Sequence, residues 1–279
     1  MKDIIVNRLK EIEKTENIRI LLAVESGSRA WGFASEDSDY DVRFIYARNE
    51  EAYLRLDPFR DVLEYPISDE LDINGWDLKK ALKLLYKSNP TVIECLSSEM
   101  IYIDNKLAIS LRKIMQDYFS AKKELYHYIS MAENNYKTYL CKDNVQIKKY
   151  FYALRPVLAC KWILDRKKVP PVPFSMLVQE ELPEYLKEKV QYLLDIKMQS
   201  HEVKEVEQIP ELNTYLEQSI TDTKTEVKNL PTEEKKQMDE LNDLFIHAIR
   251  NEEVTDGERN NSEWGIKECG IQSDITGQK

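Results

Sequence analysis

The sequence predicts an α+β N-terminal domain of about 105 residues followed by a helical domain. Three observations carry this. Strand-like runs of β-branched and aromatic residues occur only before about residue 106, and long helical apolar patterns then run to about Arg166. Within the first 256 residues, glycine occurs only at Gly27, Gly32 and Gly75, so positive φ or close backbone approach is expected in just two short segments. The division expected is 1–105 for the α+β domain, 106–250 for the helical domain, and 251–279 for a weakly ordered polar tail with few apolar residues.

Taken in order, Lys2–Lys14 reads as a helix with Ile4, Ile5, Leu9 and Ile12 on one face. Ile18–Val24 reads as a buried strand, Glu25–Ser38 as a loop and Tyr40–Tyr46 as a second strand. A third lies within Glu70–Trp76. Asp77 is placed to cap a helix running to Lys87, Pro90 restarts the chain, and Met100–Ile103 is a short strand. Helices are expected over Leu107–Phe119, Ala121–Leu140 and Val145–Leu164, the last kinked or broken at Pro156. Val169–Pro173 is an extended connector, and helices follow at Pro183–Met198 and Thr232–Arg250.

Of the 279 residues, 42% are hydrophobic and 32% charged, a globular balance. No apolar run approaches the ~18 residues of a membrane span. The N-terminus enters an amphipathic helix pattern without the features of a signal peptide, so a cytoplasmic protein without membrane partners is expected. Cys95, Cys141, Cys160 and Cys269 stand far apart, and His127, His201 and His247 lie near none of them. This disfavours a zinc site or a disulfide framework, and any metal is expected on oxygen ligands, hence Mg²⁺ or Mn²⁺. Net charge is −10, yet Arg112–Lys168 carries 13 Lys/Arg against 5 Asp/Glu and seven of the 16 tyrosines. Basic and aromatic residues together suit phosphates and bases, although solvated helix faces give the same composition.

The segment Val24–Arg43 joins a buried strand, the Gly27-Ser28 turn, a short helix, and Asp39-x-Asp41 at the start of the next strand. Alternation along a strand points Asp39 and Asp41 the same way, where two carboxylates can bridge divalent cations. The Gly27-Ser28 turn can offer amides and a hydroxyl to a phosphate. Asp72 alternates with Leu71 and Ile73, which puts it with Asn74 on an open face. There it supplies a third carboxylate for two-metal phosphoryl transfer. Arg43 shares the face of Asp41 and either holds phosphate or neutralises the carboxylates. Arg29 is either a phosphate ligand or a surface charge. Lys148, Tyr152 and Arg155 fall on one helical face that would suit a triphosphate. Trp31, Phe33 and Trp76 read as packing residues. The run Asp37-x-Asp39-x-Asp41 imitates an EF-hand but lacks its glycine and its final glutamate, Val42 and Arg48 standing there.

Gly-Ser, a spacer, Asp-x-Asp and a third Asp on a later strand resemble the DNA polymerase β-type nucleotidyltransferase superfamily. Gly27–Tyr46, Asp72–Lys80, Ser88-Asn-Pro-Thr and Lys148–Trp162 resemble one branch of it, the predicted nucleotidyltransferases of bacteria and phages associated with RNA repair. The resemblance spans roughly residues 15–175 and implies a small mixed sheet with flanking helices. It also implies that Asp39 and Asp41 bind two metal ions, and that Asp72 binds the catalytic one and helps activate the acceptor hydroxyl. Gly27 and Ser28 would then hold the β/γ-phosphates of an NTP. The implied reaction moves a nucleoside monophosphate to a hydroxyl, with an RNA end as the acceptor. Two other readings stand beside it: transfer to a protein or small molecule, which the acidic net charge suits, and a non-catalytic nucleotide- or RNA-binding module. The pattern fixes neither the NTP nor the oligomeric state.

Overall fold

The computed structural model describes residues 1–66, 70–199, 204–231, 233 and 236–250. Helix α1 (Lys2–Glu16) forms from the apolar stripe Ile5, Leu9 and Ile12 and stops at Asn17, which adopts the left-handed conformation at φ 51°. Strand β1 (Arg19–Glu25) is buried from Ile20 onward. After it come the one-turn α2 (Gly27–Ala30), β2 (Tyr40–Ala47), α3 (Glu50–Leu54), β3 (Val62–Glu64) and β4 (Leu71–Asp77). Asp77 caps α4 (Leu78–Tyr86) as expected, accepting the Lys79 N–H at 2.8 Å. Pro90 opens α5 (Pro90–Ser97), and β5 (Ile101–Asp104) and α6 (Lys106–Tyr118) follow.

The five strands form one mixed sheet in the order β3-β4-β2-β1-β5. β2 and β4 are parallel, and the other three pairs are antiparallel. One face, carrying Val42, Phe44, Tyr46 and Ile73, packs on α1. Gly75 leaves room there for the Phe44 ring, which a Cβ would meet at 2.2 Å. The opposite face, with Leu22, Val24 and Ile45, packs on α4, α5 and α6. It is also covered by α12 (Asp239–Arg250), through Leu241, Leu244 and Ala248. The packing therefore crosses the boundary expected at residues 105/106: α6 and α12 share the core of the sheet.

The helical part comprises α7 (Ala121–Asn135), its π-helical extension Tyr136–Leu140, α8 (Ile147–Arg166), α9 (Phe174–Glu181), α10 (Glu184–Gln199) and α11 (Pro210–Asn229). A two-stranded ribbon pairs β6 (Asn144–Gln146) with β7 (Glu205–Glu207). Three expectations change here. Val145 belongs to β6, so α8 starts at Ile147. α8 continues past Pro156 without a break, because the proline and the residues around it are enclosed by neighbouring helices. Of the chain expected to be helical from Thr232, the described residues 233 and 236–238 lie outside any helix and Asp239–Arg250 forms α12; the long α11 was not anticipated. The tail expected over 251–279 lies outside the described residues. Among the described residues no helix is long and apolar enough to cross a membrane.

Candidate active site

The parallel pairing of β2 and β4 sets Asp41 opposite Asp72 and Arg43 opposite Asn74. All four stand on the sheet face that carries Ile45, since Val42 and Ile73 turn the other way into the α1 core. The guanidinium of Arg43 lies between the two carboxylates. Its NH2 donates to Asp41 Oδ1 at 3.2 Å and to Asp72 Oδ2 at 2.8 Å, while NH1 donates to the carbonyls of Val42 and Asp72, each at 3.1 Å. Asn74 Nδ2 donates to Asp72 Oδ1 at 2.7 Å. The side chains of Arg43, Asp41 and Asp72 are 20%, 28% and 22% exposed, within reach of a ligand yet largely desolvated. Burial raises the Asp41 carboxyl above its ordinary pKa. Arg43 opposes the rise, and the nearby charges of Asp72 and Asp39 add to it.

Gly27 stands two residues past the end of β1, against this cluster. Its φ is +59°, and a Cβ there would lie 2.0 Å from Asp41 Oδ2, so glycine is required twice over. The Ser26 N–H donates to the Asp41 carbonyl at 2.8 Å, tying the turn to β2. Glu25, which the sequence reading left in a loop, ends β1 and is fully buried. It accepts the Asp41 N–H at 2.8 Å and the Tyr102 O–H at 2.5 Å, and burial raises its carboxyl pKa. The sequence did carry a signal for it: an acid that ends an apolar strand run just before the glycine turn is positioned to be buried.

The remaining expected residues separate into groups. Asp39 is exposed and sits one residue before β2. Arg29 donates to the carbonyls of Ser38 at 2.6 Å and Asp39 at 3.2 Å and lies over the Tyr40 ring at 3.7 Å. It therefore fixes the loop that delivers Asp39 and Asp41, a use the sequence reading did not consider. The Ser28 side chain is buried. On α8, Lys148 and Tyr152 are half-buried, but Arg155 is only 3% exposed. Arg155 NH1 donates to Glu94 at 2.8 Å, and its guanidinium covers the Trp31 ring at 4.5 Å. Glu94 also accepts the Tyr128 O–H at 2.8 Å. The expected triphosphate face therefore breaks at Arg155, whose charge is spent on a buried pair. Tyr152 meets Trp31 edge-on at 6.0 Å, and Phe33 is core, stacked on Phe151 at 5.0 Å, as its reading as a packing residue anticipated. The segment after Gly27 thus runs from the sheet into the helical core.

The donor chemistry fits a hard divalent cation. Two carboxylates already converge on a single positive centre, and the missing Cβ of Gly27 lets the Asp41 carboxylate lie directly against the backbone of the turn. Among the described residues, however, no three His, Cys, Asp or Glu side chains are drawn together as a ready ion cage: Arg43 stands between Asp41 and Asp72, and Asp39 is exposed one residue before β2.

This site can be set against known proteins. The chain is 44% identical over 251 residues to the protein YcgL of Bacillus subtilis (strain 168), covering 89% of this chain and 96% of that one. A nucleotidyltransferase-like protein of known structure from Exiguobacterium sibiricum 255-15 aligns over 88% of this chain and 91% of its own, at 13% identity and a TM-score of 0.29. The model of the RNA repair pathway DNA polymerase beta family matches residues 1–247, which include every candidate site residue, and the chain belongs to that family.

Proposed function

We propose that this protein is a metal-dependent nucleotidyltransferase that moves a nucleoside monophosphate from an NTP to an acceptor hydroxyl, with an RNA end as the acceptor. The observation that carries the reading is the in-register placement of Asp41 and Asp72 on adjacent parallel strands beside Gly27. Family membership supports it. Asp39, Asp41 and Asp72 are the residues that would hold Mg²⁺ or Mn²⁺, two ions in the two-metal form of the reaction. When bound, these ions neutralise charge on the attacking and leaving oxygens.

The chain's own groups do the rest. The Gly27-Ser28 turn brings backbone, rather than a side chain, against the phosphates. Arg29 and Glu25 hold the strand ends that carry the carboxylates, so that positioning costs nothing at the moment of reaction. Asp72 is the acceptor for the proton of the attacking hydroxyl. The new bond joins that oxygen to the α-phosphorus, the α–β bridge breaks, and pyrophosphate leaves. Lys148, Lys149 and Tyr152 on α8 are the surface that meets the triphosphate or the RNA backbone, with Lys149 lying over the Tyr139 ring at 3.9 Å.

The test is transfer of label from each of the four α-labelled NTPs, with Mg²⁺ or Mn²⁺, to RNA and to protein. Label in RNA with pyrophosphate release is expected. Label in protein would replace the acceptor, an outcome that the net charge of −10 also suits. No transfer and no pyrophosphate from any NTP would overturn the reading.

A further inference from the structure

We propose that Arg43 is a built-in cation that a divalent ion must displace, and that the triphosphate receives the displaced guanidinium. This inference rests on the nucleotidyltransferase reading and goes beyond it by assigning an order of events at the site. One guanidinium nitrogen stands within hydrogen-bond distance of both Asp41 Oδ1 and Asp72 Oδ2, at 3.2 and 2.8 Å. That is where a cation bridging the two carboxylates has to stand. Mg²⁺ binds oxygen at about 2.0–2.1 Å in near-octahedral geometry and tolerates no other positive group inside its shell. Ion and guanidinium therefore exclude one another, by space and by charge.

Arg43 is also held in a way that permits release. Its second nitrogen contacts only neutral acceptors, the carbonyls of Val42 and Asp72, and the side chain is 20% exposed. Leaving the carboxylates costs two charge-assisted hydrogen bonds, which a fork-shaped guanidinium can remake on phosphate oxygens. Without a triphosphate the site is charge-compensated and takes up metal poorly. With a triphosphate present, the ion gains phosphate ligands and Arg43 gains a new partner. The carboxylates are thereby kept from collecting ions in the empty enzyme.

The test uses the full chain, Arg43→Gln, and two probes that involve no turnover and no choice of base: Mn²⁺ alone and metal-free inorganic triphosphate. Removing the resident charge should tighten Mn²⁺ binding by roughly tenfold or more, read from the spin-resonance signal of unbound Mn²⁺. The same substitution should weaken triphosphate binding, read by calorimetry. Opposite shifts are the signature. A merely structural arginine would lower both affinities, and a simple phosphate ligand would lower the second alone. Arg43→Lys keeps the charge but cannot grip both carboxylates at once, so its Mn²⁺ affinity should lie between the two and provides the readout if Arg43→Gln fails to fold. Mn²⁺ binding equal to or weaker than wild type in the variant that folds overturns the inference and leaves the function standing. Absence of both Mn²⁺ and triphosphate binding in wild type overturns the two together.

Discussion

Two regions were candidates for holding the triphosphate, the strand starts at Asp41 and Asp72 and the helical face at Lys148, Tyr152 and Arg155, and the fold treated them differently. On the sheet, alternation and a parallel register deliver side chains to an open face, and Asp41, Arg43 and Asp72 meet there. On α8 the same kind of spacing argument places three residues on one stripe, yet the helix is enclosed along most of its length and Arg155 is taken by Glu94. A strand has two faces, and its apolar residues reveal which one is covered. A helix buried nearly all round gives no such sign, so a charged residue on it can be a ligand or half of an internal pair.

That contrast can be broken most directly at the sheet. Asp41→Asn or Asp72→Asn should lower label transfer by at least about a hundredfold while leaving the fold intact, because each removes charge aimed at the reacting centre. Wild-type transfer in either variant would remove the sheet site from the chemistry.

On the helix the expected loss is of stability. Arg155→Ala leaves the half-buried Glu94 and the buried Tyr128 without their cation, which should cost about 1–3 kcal/mol, seen as a lower Tm. Lys148→Ala should stay within about 1 kcal/mol of wild type and should instead weaken RNA binding and flatten its salt dependence. If Arg155→Ala keeps its Tm but loses NTP use, the two regions are alike after all.

The chain order of the two regions can be tested by truncation. Ending the protein after Arg250 should leave Tm unchanged. Ending it after Met238 should uncover the side of α4 on which α12 packs and lower Tm by an amount worth about 2–4 kcal/mol, since α12 buries Leu241 and Leu244 in the cluster that α4 shares with the sheet. Equal Tm for the two truncations would show that α12 contributes nothing to that core.

A pH-dependent effect concerns Glu124, between the regions. It is fully buried, accepts the Ser88 hydroxyl at 2.9 Å, and burial raises its carboxyl pKa to about 8. A carboxyl raised from 4.5 to about 8 binds its proton more tightly in the folded state. Stability from this group is therefore full below pH 4.5 and lost as pH rises to about 8. Glu124→Gln should abolish that slope and melt above wild type at pH 9. An unchanged slope would place the carboxylate in contact with water.

Much of the sheet region was legible because its signals are local. Strand alternation, the scarcity of glycine and the Asp77 cap each depend on a few neighbouring residues, and β1, β2, β4, β5 and α4 fall within a residue or two of expectation. What went unread depends on distant partners. Helix α11 was missed because its buried stripe of Leu212, Leu216, Ile220, Thr223 and Val227 mixes in polar residues, Asn213 among them, that are satisfied only by α7 and α8 neighbours such as the Tyr150 hydroxyl at 3.0 Å. Glu25 gained its role from Tyr102, 77 residues away.

The sequence by itself determined that Asp41 and Arg43 share one face of their strand, that Asp72 stands on the open face of its own, and that a glycine turn precedes them, since a two-residue repeat and a missing Cβ are properties of the chain. Only the tertiary structure decided which charges face ligand and which face protein. Arg29 and Arg155 carry the same guanidinium as Arg43, but the first holds the carbonyls of its own loop and the second a half-buried glutamate. A charged side chain commits to whichever partner can repay its desolvation, and that partner is known only when separate segments have packed together.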